Sequence, residues 1–128
     1  MSRQAANAPD APPAIGPYSH YVVAGGLVFV SGQLPWDPAT RAIAKGSVAE
    51  QTRLVLQNLE RILRHAGSSL ARVVRCGVFL AEMADFPEMN AVYAEFFPTD
   101  PPARSTVAVK ELPAGVAVEI DAIAVLQS

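Results

Sequence analysis

The chain has 128 residues, a formal net charge of −2, 51% hydrophobic and 17% charged residues and a single cysteine. This is enough chain for one ordinary domain with a real core, and it excludes an intramolecular disulfide framework, a basic stripe that would track nucleic acid, and a membrane-spanning or signal-like apolar run. The expectation is a soluble cytoplasmic protein whose apolar surplus is covered by contact between subunits.

Residues 1–14, rich in Ala, Pro and Asn, show no period and read as a flexible arm before one domain spanning 15–128. Tyr21–Ala24 and Leu27–Val30 are β-prone runs joined by Gly25–Gly26, a pair suited to a two-residue hairpin turn. Gly32 to Pro38 carries two prolines and marks a loop. Ser47 and Glu50 form a capping box, and Val55, Leu59, Ile62, Leu63 and Ala66 follow at helical spacing to a stop at Gly67. Val73–Leu80 reads as a strand. Asp85 with Glu88 repeats the capping pattern before a second helix carrying Met89, Val92, Tyr93, Phe96 and Phe97, with Pro98 and Pro101–Pro102 ending it. Ala103–Val109 and Val116–Val125 complete the order ββαβαββ, an α+β fold with a mixed sheet and both helices on one face.

Along the last run, Val116, Val118, Ile120, Ala122 and Ala124 point one way, and Glu119, Asp121, Ile123 and Val125 the other. The second set mixes acids with aliphatics, which suits a partly wet subunit interface or a solvated face. Arg104 opens the preceding run and keeps its charge, so it needs a carboxylate, water or an anionic ligand. Hairpin pairing of the last two runs would bring Arg104 near Glu119 or Asp121, as an ion pair or as a pocket that clamps a substrate carboxylate.

Ile15-Gly16-Pro17-Tyr18-Ser19, Val30-Ser31-Gly32-Gln33-Leu34-Pro35, Asn90 with Tyr93, Phe96 and Phe97, Pro102-Ala103-Arg104-Ser105 and Val118 to Ala124 occur in this order. Together they resemble the RidA family, also called the YjgF family, from Ile15 to Val125. The resemblance implies a chorismate-mutase-like subunit in a homotrimer with sites between neighbours. It also implies hydrolysis of reactive enamine or imine acids, such as 2-aminoacrylate, to 2-keto acids and ammonia. In the implied site Arg104 binds the substrate carboxylate, Thr106 offers a backbone carbonyl to the substrate nitrogen and Glu119 positions water. Tyr18, Ser31 and Gly32 line the cleft from the neighbouring subunit.

No cofactor or metal is expected, because His20, His65 and Cys76 are too widely spaced for a zinc-deaminase pattern. His65 reads as a helix-end cation, Cys76 as a core residue, and His20 as either a cleft-mouth or a surface residue. Thr106 stands where many members have cysteine, Arg41 where glycine is common, and Asp121 where glutamate is frequent. The other function classes weighed are a non-catalytic metabolite-binding trimer and an endoribonuclease or translation inhibitor, the latter disfavoured by the acidic charge.

Overall fold

A computed structural model describes residues 2–127; Met1 and Ser128, the outer ends of the two expected spans, lie outside the described residues. The chain runs β1 (Gln4–Ala6), β2 (Tyr21–Ala24), β3 (Leu27–Gln33), β4 (Trp36–Asp37), β5 (Ala42–Ile43), α1 (Val48–His65), β6 (Val73–Leu80), α2 (Phe86–Phe96), β7 (Ala103–Ala108) and β8 (Val118–Val125). β4 and β5 form a separate ribbon, and the other six strands make one sheet in the order β1-β2-β3-β8-β6-β7. The sheet is mixed, because β6 and β7 are parallel and the remaining pairs antiparallel. A parallel pair needs a crossover, and α2 supplies it.

Local signals account for much of this. Gly25 and Gly26 adopt φ +59° and +77°, the left-handed region that a two-residue turn requires, and Tyr21 pairs with Val30 across it. Ser47 caps α1 by accepting the Glu50 N–H at 3.1 Å. One face of the sheet presents Val28, Val30, Cys76, Val78, Leu80, Val118, Ile120, Ala122 and Ala124, which share a core with Leu56, Leu59, Ile62 and Leu63 of α1 and Met89 and Tyr93 of α2. The opposite face leaves Phe29, Val107 and Val125 exposed.

Four expectations need correction. Gln4–Ala6 is not loose: it pairs with Tyr21–Val23, and Ala8 and Ala11 are buried in the core. Small side chains let this segment lie close to the sheet, and the Ala8 N–H donates to His20 Nδ1 at 2.9 Å, yet alanines leave no amphipathic period in the sequence. β3 continues through Gly32 and Gln33 by means of a register shift between Val30 and Gln33, so the loop begins later than its prolines suggested. Asp85 makes no side-chain cap; Glu88 instead accepts the Ala49 N–H of α1 at 2.9 Å, satisfying the neighbouring helix. Finally, β7 and β8 are not a hairpin. β6 lies between them, because the connection from Val109 to Ala117 is long enough to pass the end of another strand.

Candidate active site

The insertion of β6 decides where the predicted residues stand. Arg104 is in register with Cys76, whose side chain faces the helices, whereas Glu119 is in register with Phe79, on the alternate face. Two strand spacings and three residues along the strand separate their Cα atoms by about 14 Å. Within one chain Arg104 and Glu119 therefore serve different hollows.

Arg104 lies over α2. Its guanidinium carbon is 4.6 Å from the centre of the Tyr93 ring and 5.4 Å from that of Phe86. Among the described residues no carboxylate lies within salt-bridge distance of it; the ion pairs are Arg53–Glu95 and Arg64–Glu60. A partly buried guanidinium resting on two π faces is oriented without being neutralised, which leaves its charge for an anion. The hollow beside it, about 340 Å³, is lined by Asn90, Tyr93, Ala94, Phe97, Pro101 and Pro102. Asn90, Tyr93, Ala94 and Phe97 share one helical stripe at i, i+3, i+4 and i+7. Thr106, two residues along the same edge strand, buries an Oγ1 that has no hydrogen-bond partner.

Glu119 groups instead with Tyr18, Ser31 and Gly32, around a cavity of about 530 Å³ whose walls include Ile15, Leu34, Ile43 and Pro113. Burial raises the Glu119 carboxyl above the ordinary carboxylate range, and the like charge of Asp121 raises it further. A Cβ at position 32 would overlap the Glu119 carboxylate, so glycine is what lets that carboxyl lie flat against β3. Ser31 Oγ donates to the Ser19 carbonyl at 2.6 Å and the Ser31 N–H to the His20 carbonyl at 3.0 Å, which fixes the loop presenting Tyr18. Tyr18 itself is 47% exposed, with its hydroxyl accepting the Ile15 N–H at 3.3 Å.

The remaining candidates divide plainly. Cys76 is fully buried beside Tyr93, and burial pushes its thiol up, which suits a core residue. His65 ends α1 and its Nδ1 lies 3.0 Å from the Tyr21 hydroxyl. His20 is buried rather than superficial. Tyr93 and Phe86 are the residues that sequence reading missed: Tyr93 fits the core stripe, and nothing in the spacing shows that its ring also carries Arg104.

A six-stranded mixed sheet backed by two helices, with an edge-strand arginine that has no carboxylate partner among the described residues and a half-buried acid on the open face, defines a class of small α+β proteins. The profile of the family described as Endoribonuclease L-PSP matches residues 8–126, and the chain belongs to this family, which includes the RidA proteins. It is 48% identical to Protein DfrA of Myxococcus xanthus over 98% of this chain and 97% of that one. It is 40% identical to Reactive Intermediate Deaminase A, chloroplastic, of Arabidopsis thaliana over 98% of this chain and 67% of that protein. The solved yeast structure YEO7_yeast superposes with a TM-score of 0.95 at 41% identity, covering 98% of this chain and all of that one (100%).

Proposed function

We infer that the protein is a hydrolytic deaminase of reactive 2-enamine and 2-imine acids, working as a homotrimer of chorismate-mutase-like subunits. The observation that carries this reading is Arg104, a guanidinium held on two aromatic rings with no carboxylate partner. A small substrate with its own carboxylate supplies the missing anion. The name of the Arabidopsis relative supports the reaction type.

Because Arg104 and Glu119 face opposite sides of one sheet, the complete site joins Arg104 and Thr106 of one subunit to Tyr18, Ser31, Gly32 and Glu119 of its neighbour. The exposed Phe29, Val107 and Val125 are the apolar surface such an assembly covers. In the site, Arg104 binds the carboxylate and the Thr106 carbonyl accepts from the substrate nitrogen. Glu119 takes a proton from water as the oxygen bonds to the imine carbon. That proton passes to the nitrogen to give the neutral carbinolamine; Glu119 then takes the hydroxyl proton and delivers it to the nitrogen as the C=O forms and the C–N bond breaks, so 2-keto acid and ammonia leave. Burial that raises the proton affinity of Glu119 suits it to both transfers. Its chemistry needs no cofactor.

The test generates 2-aminoacrylate in situ with a dehydratase and follows its loss. Wild type should accelerate it and Arg104→Ala should not; an unchanged lifetime with wild type removes the deaminase reading. Co-assembling Arg104→Ala and Glu119→Gln chains tests the division of the site. Random mixing should restore about a quarter of the sites, whereas a site built within one chain would regain none.

A further inference from the structure

A second cavity, of about 260 Å³, adjoins the Glu119 cavity and shares Ile15, Tyr18, Gly32, Leu34 and Ile43 with it. Pro12, Pro13, Leu34, Trp36 and Ile43 make it largely apolar, and His20 and Arg41 are its basic residues. The mechanism above uses neither. Three observations converge there.

His20 is 4% exposed. Its Nδ1 accepts the Ala8 N–H, so the neutral ring carries its hydrogen on Nε2, and that buried nitrogen has no partner. That nitrogen has almost no surface on the cavity, so His20 braces the wall and the polar contact falls to Arg41. Arg41 is the second. Its backbone sits at φ +56°, a region that favours glycine, and its N–H donates to the Asp37 carbonyl at 2.7 Å to close the turn. A side chain kept at such a position signals a use for it. Its guanidinium carbon lies 5.6 Å from the centre of the Trp36 ring, and no carboxylate among the described residues is within salt-bridge distance. The nearby Asp37 carboxylate is occupied by the Ala39 N–H at 2.9 Å. Third, Trp36 is 6% exposed, so the ring that Arg41 covers forms a dry wall of the cavity.

The geometry points to a pocket, adjoining the Glu119 cavity and using Arg41 as its cation, that binds a small monocarboxylate with a compact apolar body. The body enters between Trp36, Leu34 and Ile43, and the carboxylate stays at the rim with Arg41. Its anion contact is Arg41 and not Arg104, so its occupancy is measured without the deaminase reaction.

Trp36 is the only tryptophan, so its fluorescence reports the cavity directly. The probes are cyclohexanecarboxylate and its neutral counterpart cyclohexylmethanol, titrated at constant ionic strength, with ligand-observed NMR as a second readout. Wild type and Arg104→Ala should bind the carboxylate with the same saturable curve. Arg41→Gly, whose backbone suits this turn, should bind it at least about tenfold more weakly while remaining folded. The alcohol should bind more weakly than the acid to wild type. The proposal is overturned if the acid gives no saturable change, if the alcohol binds equally well, if Arg41→Gly binds like wild type, or if Arg104→Ala abolishes binding.

Discussion

Arg104 is paired with the face of Tyr93 rather than with an acid: 4.6 Å separates the guanidinium carbon from the ring centre, and Tyr93 in turn is packed in the core against Phe97, 4.7 Å between centroids. The charge thus rests on a ring that α2 holds in the core. Tyr93→Phe keeps the π face and should leave KM near wild type, whereas Tyr93→Leu should raise KM about tenfold with a smaller change in kcat. The steady-state split between the two constants, together with the melting temperature, checks this. Equal behaviour of Phe and Leu would mean that the ring does not position the arginine.

Gly32 and Glu119 are similarly interdependent. In Gly32→Ala the added methyl group meets the end of a flexible side chain, so the fold should survive with a small loss of stability, about 1 kcal/mol or less. The carboxylate must turn away, and kcat should fall about tenfold or more. Denaturant melts and kcat measured on one preparation separate the two effects. Full activity in the alanine variant would remove Glu119 from the reaction in its present position.

The proton affinity of Glu119 sets the third expectation. Its folded pKa is raised by burial and then by Asp121. Between the unfolded and folded values the native state holds a proton that the unfolded chain releases, so this group's contribution to stability is fully present below the unfolded value and is lost as pH rises through the folded one. Glu119→Gln should therefore be more stable than wild type at neutral pH, and the difference should vanish in acid. Asp121→Asn removes the like charge, lowers the Glu119 pKa and should move the acid limb of kcat/KM to lower pH. A limb that stays in place would show that another group governs it.

A fourth expectation concerns the first eleven residues. Deleting 2–11 removes β1, the buried Ala8 and Ala11, and the Ala8 N–H bond to His20. The truncated chain should melt about 4 °C lower for each kcal/mol lost, and the loss should exceed about 1 kcal/mol. Differential scanning calorimetry measures it; an unchanged melting temperature would restore the loose-arm description.

Several features were legible because one local cause fixes each. Ser47 with Glu50 starts α1, Gly25–Gly26 turns a hairpin, and the alternation along β8 separates a core face from an open one. Strand partnership has no such local cause. An edge strand and a central strand have similar composition here, so nothing in 103–125 reveals that β6 lies between β7 and β8. That single insertion turned a presumed Arg104–Glu119 neighbourhood into two hollows. Tyr93 was legible as core and illegible as a support for charge, since helical spacing reports burial and not what rests on the buried ring. β1 was hidden because alanines pack closely without announcing a period.

The margins of the sheet differ from its broad side. At one end β1 is only three residues long, and at the other β7 is bracketed by Pro101–Pro102 and Pro113. Short or proline-bounded edges refuse an additional strand. The open side, with Phe29, Val107 and Val125, invites contact through side chains instead. Copies of this chain are thereby discouraged from pairing edge to edge into a fibre.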